Sequence, residues 1–371
     1  MAFSANVIPQ NKTLIPLRLQ NTNPNFSKSL SITHTQSLQF LKRTSISASS
    51  TRVVSDFEVM EKSSNLIADS WETFSGNVSG EWDGHGADFT NEGKTIELPE
   101  NVVPDAYREW EVRVFDWQTQ CPTLAKPHEK ILDYKLIKLL PTVGCEADAA
   151  TRHSVDERSI GGSDNEVSAF AYHLSGCYVA VWPIKDNSAF RLFELEHCLV
   201  DPRNKESRVR IVQIVRVDAS VFSLQNIKVF REQWYGPFRN GEQLGGCAIR
   251  DAAFASTDAV KLSDVVGVWS GSNVVATFQN PQTNILKELV DYEPQKSVRT
   301  DDGLVLLPKQ LWCSLKESED GDIFEEVGWL IEQGQAITLS CNFSKDGNLK
   351  KITMRHEKAI PGETLKTAIG L

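Results

Sequence analysis

Three arginines, Arg208, Arg210 and Arg216, occupy alternate positions of the run RVRIVQIVRV. Alternate residues of a strand share a face, so the three point one way together with Val212 and Ile214. Guanidinium groups hold carboxylates through paired hydrogen bonds. A face of this kind turned into a barrel would clamp a fatty-acid head group or a tetrapyrrole propionate. The same pattern also fits a solvated outer face, with Val209, Ile211, Val215 and Val217 directed inward. Just upstream, AFRLFELEHCLV sets Glu194 and Glu196 on one face and Arg191 and His197 on the other. Glu194 would serve as an acid beside a bound ligand, or belong to an exposed, salt-bridged strand. His85 in WDGHGADF and His173 in FAYHLSG are further candidate ligands or bases, and each also reads as an ordinary loop residue.

Beyond these candidates the sequence offers no catalytic residue. Gly-x-Ser-x-Gly and phosphate-loop patterns are absent. The seven histidines show no ligand-spaced pair, so neither a metal site nor a cofactor is expected. The seven cysteines are odd in number and contain no Cys-x-x-Cys. Several of them sit inside apolar strand patterns such as ITLSCNF, where a free thiol acts as a small hydrophobe. A formal charge of −10 argues against nucleic acid as a partner. No apolar run is long enough for a transmembrane helix.

The elements that must position these residues are mostly strands. Helical spacing of Phe57, Met60, Leu66, Ile67, Trp71 and Phe74 predicts one helix over 57–76, with Gly76 as its stop. Strand patterns follow: WEVRVFDW, KILDYKLIKLL, CYVAVWPI, AFRLFELEHCLV and RVRIVQIVRV. Strands this frequent, with no helices between them, predict an antiparallel barrel or sandwich rather than a parallel α/β sheet. From Gly267 onward short strand patterns alternate with Asp302-Gly303, Asp320-Gly321, Gln333-Gly334 and Asp346-Gly347. Such dipeptides supply the positive φ of tight hairpins, so neighbouring strands should pair in an up-and-down meander. About eight such strands would close into a barrel.

Two copies of Gly-x-Trp-x-Gly, Gly80–Gly84 and Gly267–Gly271, open these two runs of strands. The predicted fold class is therefore all-β, two consecutive up-and-down barrels after a short N-terminal helix. The first barrel covers 56–250, with a polar loop inserted at 145–166, and the second covers 260–358. Gly-x-Trp on a first strand resembles the lipocalin and wider calycin signature. That resemblance implies that Trp82 and Trp269 plug the barrel floors. It also implies that an arginine covers each indole: Arg355 for the second barrel, and one of Arg208, Arg210 or Arg216 for the first. Taken whole, residues 57–358 resemble a plastid and cyanobacterial family of unknown function with a double-lipocalin organisation, distantly similar to bilin lyases.

The first 55 residues contain no acidic residue, carry six basic ones and are crowded with Ser and Thr. This composition reads as a plastid transit peptide. It predicts a chloroplast protein of the stroma, or one peripheral to the thylakoid. The leading expectation is a lipocalin-like protein that binds a hydrophobic tetrapyrrole, carotenoid or lipid and helps assemble or protect photosynthetic complexes. Two alternatives stay open: a calycin-type lyase, isomerase or cyclase acting on such a ligand, and a ligand-free scaffold for photosynthetic protein partners.

Overall fold

The computed structural model describes residues 69–143, 151–162, 166–186, 190–218, 220–242, 253–278 and 285–361. The expected transit segment and most of the expected helix lie outside these residues. A helix, α1 (Ser70–Val78), starts after Asp69, whose side chain caps it, and runs through Gly76 to Val78. Trp71 and Phe74 of α1 pack against Phe170, Tyr172 and Tyr178.

The alternating patterns become two curled antiparallel sheets. The first contains β1 (Glu81–Thr90), β2 (Trp117–Gln120), β3 (Thr123–Lys126), β4 (Ile131–Leu139), β5 (Arg152–Ile160), β6 (Ala169–Tyr172), β7 (Tyr178–Asp186), β8 (Arg191–Val200), β9 (Ser207–Asp218) and β10 (Val221–Gly236). From β6 to β10 each strand pairs with the next, and β10 then pairs with β1. β2 and β3 run in succession along one side of β4, and β5 lines its other side. The second, seven-stranded sheet uses β11 (Gly267–Thr277), β13 (Val290–Arg299), β14 (Leu304–Leu307), β15 (Leu311–Glu317), β16 (Ile323–Glu332), β17 (Gln335–Phe343) and β18 (Leu349–Ala359), in the order β13-β11-β18-β17-β16-β15-β14. The fold is thus all-β and barrel-like. Neither sheet closes by hydrogen bonds among the described residues. Seams remain between β13 and β14, and at β5 and the opposite end of the first sheet, where closed barrels were expected.

Three other expectations change. The stretch WEVRVFDW forms no strand before Trp117; a short helix, α2 (Asp105–Glu109), precedes an irregular segment in which Trp110 is exposed. The polar stretch 145–166, read as a loop, contains β5, an exposed strand paired only along β4 among the described residues. In the run NILKELVDY, β12 (Leu286–Glu288) pairs in parallel with β6 of the first sheet. The chain crosses to the second sheet at Leu289 and continues as β13. Ser70 of α1 donates a 2.6 Å hydrogen bond to Glu288, which ties this crossing strand to the first helix.

The repeated motif has one geometry in both places. A short helix, α1 or α3 (Leu262–Val265), precedes each Gly. Its carbonyl at Val78 or Val265 accepts the indole N–H of Trp82 or Trp269, at 2.9 Å in each case. Gly80 and Gly267 take φ of 145° and 143°, a region that favours glycine. At Gly84 and Gly271 a side chain would collide with the backbone of the partner strand, at Arg231 and His356 respectively. The first glycine of the motif therefore turns the chain out of the helix, and the second lets a neighbouring strand cross closely.

The outer faces of the two sheets pack on each other. Leu199, Val209, Ile211, Val215 and Val229 of the first sheet share one buried cluster with Cys313, Val327, Ile337, Leu339 and Cys341 of the second. Phe222 and Phe343 meet across this seam with ring centroids 5.9 Å apart.

Candidate functional site

Alternation along β9 turns Arg208 and Arg210 into the first sheet's interior, while Val209 and Ile211 face the seam between the sheets. Both faces of β9 are buried. A solvated outer face for these arginines is therefore excluded. Inside, Arg208 Nε donates to Glu232 Oε2 at 2.6 Å, and its guanidinium lies 4.2 Å from the ring centre of Trp82. Arg210 bridges Glu232 and Glu196, and Glu196 also accepts hydrogen bonds from Tyr134 and Tyr178. Burial alone would raise the Glu196 carboxyl; Arg210, Arg158 and the Tyr134 hydroxyl overcome it and bring the pKa down to about 2. These charges largely neutralise one another, although Arg208 Nη1 has no hydrogen-bond partner among the described residues. The lower half of the first sheet is a packed ionic core over a tryptophan floor.

Further along the same interior, Glu194 pairs with Arg158 and lies 3.7 Å from Lys228. Arg158 stands over Trp182, and Lys138 over Trp117, whose ring stacks on His153. Burial lowers the Lys138 pKa. Arg216 lies eight residues beyond Arg208, about 26 Å along an extended strand. It pairs with Asp218 and covers Phe190. The three arginines therefore cannot grip one ligand. His173 sits in the turn before β7, hydrogen-bonded to Ser175, away from the Arg208–Glu232 group.

The first sheet also borders a cavity, of about 480 Å³, beside Leu124, Tyr134 and Arg158. The second sheet has the same layering. Its floor is Trp269, Trp312, Leu330 and Ala336, under Val265. Arg299 lies 5.3 Å from each indole and pairs with Glu326 and Glu357. The arginine over Trp269 is thus Arg299, on the strand after the motif strand, and not Arg355. Arg355, on β18, stands one layer higher, with Nη1 3.9 Å from Glu326. Burial pushes the Glu326 carboxyl up, but the Arg299 charge and hydrogen bonds outweigh it and hold the group below its usual range. Above this layer opens a cavity of about 300 Å³ lined by Arg299, Arg355, Glu326, Ser314, Phe324 and Asn342 among others. Among the described residues, Arg299 Nη1, Arg355 Nε and Asn342 Oδ1 have no hydrogen-bond partner. Buried polar atoms are normally satisfied, so this cluster has hydrogen-bonding capacity to spare.

No family model matches the sequence, and no curated protein matches it. Among solved structures, the chain is similar to a protein of unknown function of the DUF3598 family from Nostoc punctiforme. The identity is 15% and the TM-score 0.48, over 78% of this chain and 99% of that one. It also aligns with MucB in its complex with MucA, at 8% identity and a TM-score of 0.18, over 82% of this chain and 97% of that one. At these values neither likeness bears on function. No described helix is long and apolar enough to cross a membrane.

Arg299 went unnoticed in the sequence because KSVRT reads as a polar, solvent-facing pattern, and Glu326 because it follows a second glutamate in the largely apolar IFEEVGWLIE, which leaves the inward face undecided. Only the strand parity set by Trp269 and Trp312 turns them inward. The structure also gathers His197, Glu325 and Cys341, from three strands and two sheets, into one buried group. Sequence spacing carries no trace of that group.

Proposed function

We propose that this chain is a non-catalytic binding protein whose second sheet receives the anionic end of a small or amphipathic molecule, with a carboxylate as the fitting head group. The observation that carries this reading is Arg355. It is a buried guanidinium at the base of a 300 Å³ cavity, with one incompletely made ion pair and an Nε that has no partner among the described residues. A carboxylate there would complete a bidentate pair. The volume is at the small end of ligand pockets, roughly 300–1,000 Å³. That favours a lipid head group over a whole tetrapyrrole, and an uncharged carotenoid would leave Arg355 unsatisfied. The double-lipocalin kinship, the plastid address and a role beside photosynthetic complexes belong to the same proposal and rest on the sequence features described above.

An enzymatic reading draws less support. Glu326, the carboxyl beside Arg355, is held ionised and carries no proton to donate near neutral pH. The test is a binding titration of the purified full chain with a fatty acid and with its methyl ester. The acid should bind and the ester should bind about tenfold or more weakly, the difference vanishing in Arg355→Met. Equal binding of acid and ester, or unchanged binding in the variant, would overturn the reading.

A further inference from the structure

Arg191 reaches the Asp346 carbonyl and Arg203 pairs with Glu332 at the edges of the seam between the two sheets, and the buried part of that seam is apolar around one polar island. His197 on β8, Gln213 on β9 and Glu325 on β16 are all fully buried there, together with the thiol of Cys341 on β17. His197 Nε2 lies 3.0 Å from Glu325 Oε2 and 3.9 Å from Cys341 Sγ. One donor atom from each of His197, Glu325 and Cys341 falls within 4.8 Å of the others. Despite its closeness to the imidazole, Glu325 Oε2 accepts no hydrogen bond among the described residues, and Gln213 Oε1 is likewise without a partner. The carboxylate oxygen thus lies beside the imidazole nitrogen but out of line for a hydrogen bond with it, and both sit close to the thiol. A buried carboxylate left in that state is costly.

We infer that His197, Glu325 and Cys341 are ligands of a structural divalent ion of the zinc class, which pins β8 of the first sheet to β16 and β17 of the second. Tetrahedral zinc with ordinary bond lengths sets N···O at about 3.4 Å and N···S at about 3.6 Å, each within a few tenths of an ångström of the 3.0 Å and 3.9 Å seen here. Binding deprotonates Cys341, and its proton leaves to solvent. Two positive charges on the ion then meet one thiolate, one carboxylate and a neutral imidazole, and no net charge stays buried. Gln213 donates through Nε2 to Glu325 Oε1, which holds the carboxylate with Oε2 toward the ion. A nitrogen, a thiolate sulfur and a carboxylate oxygen form a set suited to zinc and unsuited to calcium or magnesium, which take oxygens.

The test uses the full chain purified under reducing conditions, with zinc and then cobalt(II) as probes. Elemental analysis should find about one zinc per chain. Cobalt(II) loading should give a thiolate-to-metal charge-transfer band together with tetrahedral ligand-field bands. Cys341→Ser should abolish the charge-transfer band, and His197→Gln should weaken cobalt binding about tenfold or more. Cys313→Ser, which removes a neighbouring buried thiol outside the ligand set, should retain the band. Where a ligand variant fails to fold, chelator titration of the wild type decides. Release of metal with a lowered unfolding midpoint supports the site, and a midpoint indifferent to both chelator and added zinc overturns it. A band that survives Cys341→Ser, or a wild type that takes up no metal, overturns it equally.

Discussion

Arg208 lies over Trp82, its guanidinium carbon 4.2 Å from the ring centre, while its Nε donates to Glu232. The contact joins the floor of the first sheet to its ionic core, and both partners of the ion pair are buried. Removing one partner of such a pair leaves an uncompensated charge at a cost of about 3–5 kcal/mol. Arg208→Met should therefore lower unfolding stability by about that much in urea titration. Arg208→Lys should recover only part of it, because an ammonium cannot cover the indole while donating to both Glu232 and Thr123. A loss below about 1 kcal/mol for Arg208→Met would show that Arg210 alone neutralises Glu232.

Gly328 faces the floor of the second sheet, where a side chain at that position would fall inside the indole of Trp312. Overpacking a filled core costs about 1–3 kcal/mol, more where the neighbour cannot yield. Trp312 is held from the other side by Arg299 and donates to Glu326 at 3.3 Å. Gly328→Ala should lower the unfolding midpoint and change the near-ultraviolet circular dichroism of the tryptophans. An unaltered aromatic spectrum would mean that the floor is softer than this packing implies.

The two floors were the most legible part of the sequence, and the arginines above them the least. Gly80, Trp82, Gly84, Gly267, Trp269 and Gly271 are recognisable because each residue type answers a local demand: positive φ, an indole N–H aimed at the preceding helix, a close strand crossing. The direction of Arg208 and Arg210 could not be read. A strand buried on both faces offers no polar side, and nothing local reveals that a second sheet covers Val209 and Ile211. β5 was missed for the opposite reason: an edge strand with RHSVDERSI facing solvent carries no apolar period. The arginine over Trp269 depends on which strand lies beside the motif strand. β11 pairs with both β13 and β18, so Arg299 and Arg355 were equally adjacent to it, and strand height decided between them.

Asp83 provides a pH signature. Burial, reinforced by Glu81 and Glu232, raises its pKa from 3.8 to about 6 against the opposing hydrogen bond from Gln120. A carboxyl raised in the folded state favours folding while protonated. Its penalty is absent below about pH 4, develops between pH 4 and 6, and is complete above that range. A shift of this size corresponds to at most about 3 kcal/mol. Asp83→Asn should therefore stabilise the protein at pH 7 and leave it unchanged at pH 4, as read by urea midpoints at the two values. Equal effects at both pH values would remove the carboxylate charge as the cause.

The apolar seam makes the two sheets one folding unit. On the second sheet, Cys313, Val327, Ile337, Leu339, Cys341, Ile352 and Met354 turn outward and are all buried in the cluster shared with the first sheet. β12 is supplied by the second half of the chain to the first sheet, and its Glu288 accepts from Ser70, so each half completes the other. A single cooperative unfolding transition is expected for the whole chain in calorimetry. A fragment restricted to 262–361 would expose its seam face, an apolar area of the kind that drives association. It should be insoluble or self-associating, and Val327→Lys in that fragment should improve its solubility while destabilising the whole chain. Two resolved transitions in the intact protein, or a soluble monomeric fragment with native-like tryptophan fluorescence, would show that each sheet folds alone.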